Sequence, residues 1–267
     1  MRPSSSGATD PLRLSSGRGR VPSRRILAAV TSEPDPHKLP LTDTPRTADG
    51  RYRATVRTFT PRWRMSPRVE ELMERLLPRY AVPSGPLDPT AVFGRDLPVV
   101  LEVGSGYGEA AVAYAREHPE HGIIAAEVHV PGVATLMEKA EREGLDNLRT
   151  FRGDALEYLV ECVGRGQLEA VHLFFPDPWP KARHAKRRFV QQDTLDLVLE
   201  RLRPGGHLLV ATDHAAYAEH VREQLAQHPR VAVVEGERPA WRPSAGFEDK
   251  GRAAGRAIHE FRVTERG

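Results

Sequence analysis

An α/β domain built on a parallel sheet, with helices on both faces, is what three features of the sequence predict. Five apolar runs of four to six residues, at 98–103, 122–127, 148–151, 170–175 and 206–211, alternate with amphipathic stretches at 109–118, 131–144, 155–163 and 190–202. Short buried strands joined by helical crossovers pair in parallel, because the crossover returns the chain to the same end of the sheet. A glycine loop, LEVGSGYGEA, spans the end of the first run, and an acidic residue stands at or just beyond the end of every run. In such a sheet ligands bind outside the carboxyl ends of the strands, so these turns carry the chemistry.

Ahead of the sheet, SPRVEELMERLLPRY reads as a helix. Ser66 is suited to cap it, Pro67 to its first turn, and Val69, Leu72, Met73, Leu76 and Leu77 fall on one face. The Pro/Gly-rich stretch 81–95 reads as a connector. After the fifth strand, a helix at 215–227 and strands at 231–234 and 257–263 complete a single domain over 51–267, in which RYRATVRTF at 51–59 marks where the pattern sharpens. Residues 1–50 are rich in Ser, Pro, Gly and Arg with no sustained period. They bury too little apolar surface to offset chain entropy and read as a disordered arm.

Charge divides along the same line. Residues 1–70 hold 14 Lys plus Arg against 6 Asp plus Glu, a net +8, whereas the whole chain carries only +3. A basic arm on an acidic body fits either a polyanionic partner or a solvated leader that has none. The single cysteine, Cys162, makes no internal disulfide, sits in ALEYLVECVG as a small buried thiol and suits the cytoplasm. His118 and His121 are separated by Pro119 and Glu120, so no metal site is expected there. No apolar stretch approaches the ~18 residues of a membrane span. SRRILAAV at 23–30 is too short to serve as the core of an export signal.

The acids at the strand ends are Glu102, beside Gly104, Gly106 and Gly108, then Glu127, Asp154, Asp177 and Asp213. Each alone is explained as a helix cap. Together they line a negative crevice. The glycines let a ligand approach the start of the following helix, and Glu127, 23 residues after Gly104, is placed to take both hydroxyls of a ribose. That pair also fits a nicotinamide enzyme. Gly153 and Asp154, placed to meet an adenine ring, and the lack of a separate substrate domain favour another ligand. S-Adenosylmethionine, which is cationic at its sulfonium and ammonium groups, suits an acidic crevice that repels a pyrophosphate.

The fourth strand ends in FFPDPWPKARHAKRRF. Pro176 and Pro178 restrict the backbone on either side of Asp177, and Trp179 either stacks on a base or plugs the core. Five Lys or Arg then fall among the eight positions from Lys181 to Arg188, although Lys is rare in this chain, five residues against 34 Arg. Basic residues leaving a methyl-donor site fit a nucleic acid held by its phosphates.

These residues are specific enough to show kinship. From about Arg57 to Arg266 the sequence resembles the bacterial tRNA (guanine-N7)-methyltransferases. The likeness is carried by LEVGSGYGEA, AAEVHVPGV, GDAL, PDPWPKARHAKRR, ATDH and FEDKGRAAGRAIHEFRVTER. The resemblance implies a class I methyltransferase, Rossmann-like sheet that is mostly parallel with one antiparallel strand. It also implies transfer of a methyl group from S-adenosylmethionine to N7 of a guanosine in tRNA, normally position 46 in the variable loop. By similarity Glu102, Gly104, Gly106, Glu127, Asp154 and Asp177 bind the donor, Asp177 is also catalytic, and Lys181, Asp213 and Glu248 contact the tRNA. Neither a metal nor an obligate protein partner is implied, and a monomer or homodimer is expected. The family's Thr-Lys before Phe-Glu is replaced by Ala245 and Gly246, which removes a hydroxyl and a charge. A class I methyltransferase for another RNA or a small molecule, and an inactive RNA-binding relative, are the alternatives.

Overall fold

The computed structural model describes residues 65–266, so the arm at 1–50 and RYRATVRTF lie outside the described residues. Helix α1 (Pro67–Tyr80) starts as its sequence predicts. Ser66 Oγ accepts from the Val69 N–H, and Leu72, Met73, Leu76, Leu77 and Tyr80 are buried. The connector at 81–95 contains an unpredicted short helix, α2 (Pro89–Phe93). Asp88 caps it by accepting from the Thr90 and Ala91 N–H groups, and Gly94 closes it in the left-handed region at φ 76°. Five residues are too few to show a helical period, which is why only the capping residues announce it.

The sheet follows in order: β1 (Val99–Val103), α3 (Glu109–Glu117), β2 (Gly122–Ala126), α4 (Val130–Arg142), β3 (Leu148–Phe151), α5 (Ala155–Glu161), β4 (Leu168–Phe174), α6 (Gln192–Arg201), β5 (Leu202–Thr212), α7 (Ala215–Gln227), β6 (Val231–Glu235), α8 (Phe247–Ala253) and β7 (His259–Glu265). The seven strands lie in the order β3-β2-β1-β4-β5-β7-β6. All pairings from β3 to β5 are parallel, and β7 pairs antiparallel with both β5 and β6, so β7 alone is reversed. This is the mostly parallel sheet with one antiparallel strand that the resemblance implied.

Strand alternation splits the core into two layers. Val99 and Leu101 face a cluster that includes Phe93, Leu156, Leu195 and Tyr217, from α2, α5, α6 and α7. Val100 faces the opposite cluster with Leu76, Val112 and Leu136, from α1, α3 and α4. Each fully buried Val or Leu contributes about 1.5–3 kcal/mol. The fifth strand begins four residues earlier than its apolar run. Leu202 pairs with Leu168, then the register jumps to His207 opposite Ala170, and residues 203–206 bulge out with Gly205 at φ 79°. Among the described residues no helix is long and apolar enough to cross a membrane.

Candidate active site

Because β1 and β4 are neighbours and the chain crosses over on opposite sides of them, the turns after their carboxyl ends open a crevice. The glycine loop forms its floor. The Gly106 N–H donates to Glu127 Oε2 at 2.7 Å, which ties the loop to the end of β2. Gly108 is held at φ 81°, and a Cβ there would stand 2.7 Å from Leu136 Cγ. Gly132, in the first turn of α4, lies so close to the Gly106 carbonyl oxygen that a Cβ would overlap it.

Two adjoining cavities open over this loop. One, of 430 Å³, is lined by Glu127, Gly153, Asp154, Asp177, Trp179 and Arg187. The other, of 390 Å³, is lined by Glu102, Tyr107, Glu109, Arg242, Gly246 and Lys250. Both include Gly104, Gly106, His129, Phe175 and Phe247. Glu127, Asp154 and Asp177, from three different strand ends, therefore share one chamber, as the idea of a single acidic rim requires.

Each acid is held differently. Glu102 is 2% exposed and its Oε2 is buried with no hydrogen-bond partner. Burial, reinforced by the nearby Glu109 and Glu127 carboxylates, pushes its carboxyl up to about 8. Glu127 is buried and accepts from the Gly106, Val128 and His129 N–H groups, so it organises the loop as well as facing the cavity. Asp154 caps α5 by accepting from the Leu156 N–H at 2.9 Å and also lines the chamber, so the capping and ligand-facing readings both hold for it. Its burial raises its pKa. Asp177 is exposed in a turn whose two flanking aromatics, Phe175 at φ 51° and Trp179 at φ 43°, occupy the left-handed region that non-glycine residues rarely adopt. Such strain persists only where the surroundings over-determine it. Here Arg188 does so, donating from Nε to the Pro178 carbonyl and from Nη2 to the Trp179 carbonyl.

That bonding divides the basic run. Arg188 is spent on the turn, Arg187 lies over the Trp179 ring at 4.8 Å, and Lys181, Arg183 and Lys186 are exposed around a 3-10 turn at Ala182–Arg187. Trp179 is half-buried at the cavity wall and is no core plug.

Two carboxylates that resemblance assigns to the tRNA stand elsewhere. Asp213 accepts from Arg256 Nε at 2.9 Å and lines neither cavity. Glu248 is 1% exposed and is bonded by Arg238, Arg242 and Arg252. Arg242, also buried, reaches on to Glu260 and lies over the Phe174 ring at 4.7 Å. Lys181 is exposed beside the chamber without lining it. Sequence reasoning missed Arg242, Tyr107, His129 and Phe247. Of these, only Phe247 carried a signal, as an apolar residue isolated in a polar stretch.

Pro119 does not keep His118 and His121 apart. Their rings stack at 5.5 Å, and with Glu120 they offer ligand atoms within 4.8 Å of one another, at the amino end of β2 and away from the crevice. Each already has a partner: His118 Nδ1 meets Glu120 at 3.1 Å and His121 Nδ1 meets the Tyr114 hydroxyl at 2.5 Å.

Comparison with known proteins supplies the decisive observation. Residues 96–261 match a family model described as "Putative methyltransferase". The tRNA (guanine-N(7)-)-methyltransferase of Nitrosomonas eutropha is 44% identical over 72% of this chain and 88% of its own length. The chain belongs to the tRNA (guanine-N7)-methyltransferase family. The family's protein from Nocardia farcinica is 41% identical over 90% of this chain and 95% of its own length. Among solved structures, the 16S rRNA methyltransferase KamB matches at a TM-score of 0.49 and 16% identity, covering 70% of this chain and all of its own.

Proposed function

We propose that this chain transfers a methyl group from S-adenosylmethionine to N7 of a guanosine in tRNA, at position 46 of the variable loop, in the cytoplasm. The observation that carries the reading is the convergence of Glu102, Glu127, Asp154 and Asp177 on adjoining cavities beside an exposed basic turn. The buried, unpartnered Glu102 carboxyl tests the fit of the donor. Its Oε2 accepts no hydrogen bond and Arg242 offsets its burial only in part, and S-adenosylmethionine carries two cationic groups. When bound, S-adenosylmethionine supplies an electrophilic methyl carbon on its sulfonium. Glu102 faces the cationic amino-acid end, Glu127 the ribose and Asp154 the adenine, while Gly104 and Gly106 leave room for close approach.

Guanine N7 presents an in-plane lone pair at its major-groove edge, so its attack on carbon removes no proton. No strong general base is needed. The chain's task is to hold the base in line, an effect worth about 7–11 kcal/mol at best. Asp177, exposed on a turn fixed by Arg188, accepts from the N–H groups of guanine and favours the positive charge that methylation leaves on the purine. Lys181, with Arg183 and Lys186, meets phosphates. Asp213 and Glu248 serve the substrate by fixing α8 rather than by direct contact. The reading is tested by incubating the protein with unmodified tRNA and labelled donor, then cleaving selectively at 7-methylguanosine. Label incorporated without such a cleavage site refutes the N7 assignment, and no incorporation refutes the activity.

A further inference from the structure

The turn between α3 and β2 carries three side chains of metal-ligating type that methyl transfer leaves unused. His118, Glu120 and His121 each bring one ligand atom to within 4.8 Å of the other two. The backbone that holds them is fixed from beneath. Buried Asn147 donates from Nδ2 to the carbonyl oxygens of Ala115, His118 and His121 at 2.9, 3.1 and 2.9 Å. The His121 N–H donates to the His118 carbonyl at 3.1 Å, and Pro119 restricts the chain between them. The rings are ordered too. Buried Tyr114 packs against both, its centroid 4.4 Å from that of His118 and 5.9 Å from that of His121, and its hydroxyl holds His121 Nδ1. A ligand set held in this way loses little freedom on taking an ion.

We infer that His118, Glu120 and His121 form a binding site for a divalent transition-metal ion of the zinc class, which staples the turn between α3 and β2. Two imidazoles and a carboxylate are donors that zinc, cobalt and nickel accept, whereas magnesium and calcium prefer oxygen alone. Three protein ligands leave a fourth position to water. Zinc holds such ligands at about 2.0–2.2 Å, so in a tetrahedron they stand about 3.4 Å apart. Glu120 is exposed and His118 half-buried, so these two close on His121, which Tyr114 holds. The turn leads into the amino end of β2, whereas the crevice opens at the carboxyl ends of the strands. The ion therefore serves the fold and takes no part in methyl transfer.

The test titrates the untagged, metal-stripped full-length protein with Zn²⁺ by calorimetry. Co²⁺ is followed by its visible absorption and by quenching of Trp241, whose ring centroid lies 6.4 Å from that of His118. His118→Ala and Glu120→Gln each weaken the tightest Zn²⁺ site at least about tenfold, since loss of even an outer partner of a ligand costs that much. Trp241→Phe removes most of the quenching and leaves the affinity. Zn²⁺ at a hundredfold excess over its Kd raises the melting temperature by about 5 °C in the wild type and not in Glu120→Gln, and Mg²⁺ does neither. Because Glu120 is exposed, Glu120→Gln melts as the wild type does without metal, which separates loss of a ligand from misfolding. Absence of Zn²⁺ binding overturns the site, as does an affinity unchanged in His118→Ala or Glu120→Gln, or quenching that persists in Trp241→Phe. Methyl transfer that needs the ion restored to the stripped protein overturns its assignment to the fold.

Discussion

Donor binding should draw a proton off the enzyme, and Glu102 is the group that gives it up. Its carboxyl is raised to about 8 from an ordinary 4.5, chiefly by burial. Below pH 8 it is mostly protonated, at pH 7 by roughly tenfold over the carboxylate. A cationic donor prefers the carboxylate, so binding must first remove that proton, at a cost of about 1.4 kcal/mol for each pH unit below 8. Donor affinity therefore falls about fivefold from pH 8 to pH 7 and about ninefold more toward pH 6, until the carboxyl of the bound state itself titrates. The sign for stability is the reverse of a salt-bridged carboxylate. With the folded value above the unfolded one, the empty protein loses stability as pH rises from 4.5 to 8, and the donor returns it. Calorimetric titration with S-adenosylmethionine at pH 6, 7 and 8, in buffers of different ionisation enthalpy, reads both the affinity and the proton released. Glu102→Gln is the control, since it binds more weakly at pH 8 and loses the Glu102 part of the slope. A wild-type affinity that is flat from pH 6 to 8, or an equal slope in Glu102→Gln, refutes the assignment.

Asp177→Ala should melt as the wild type does, because the side chain is exposed, yet lose at least about a hundredfold in turnover. Near-normal methylation by the folded variant would remove Asp177 from catalysis. Arg242→Met strips the buried Glu260 of its partner and Glu248 of one of three. Thermal unfolding should report a loss of about 3–5 kcal/mol, partly recovered by adding Glu260→Gln. If the single variant melts unchanged, the network is not holding the segment. Gly108→Ala places a methyl against Leu136 at a left-handed position, costing about 1–3 kcal/mol and weakening donor binding, both visible in a donor-dependent thermal shift.

The parallel part of the sheet was legible because strands β1 to β4 are buried on both faces and its helices on one, so period and length separate them without tertiary information. The acids that line the cavities were legible for a related reason: a parallel sheet sends every strand end to one edge, so reading Glu102, Glu127, Asp154 and Asp177 in sequence is reading around one rim. The short helices α2 and α8 and the bulge in β5 were not, since neither helix stands between two parallel strands as α5 does, and a bulge is a property of the neighbouring strand. The paired rings of His118 and His121 escaped as well, because a single three-residue spacing broken by proline says nothing of how the turn beyond α3 folds back.

Asp213 and Glu248 mark the deeper limit. An acid next to a ligand edge and an acid beneath it look alike in a sequence, and what separates them is which arginines arrive from elsewhere in the chain. Glu248 meets Arg238 and Arg242 from the segment before α8 and Arg252 from within it, while Arg256 beyond the helix returns to Asp213. Burying so many charges is weak evidence of stability, because desolvation offsets most of the attraction. Its effect is geometric: with Glu248 and Gly251 fixed inward, Phe247 and Lys250 have only the mouth of the cavities to face. The carboxylates that the resemblance assigns to the substrate thus also fix, through their arginines, the way α8 presents Phe247 and Lys250.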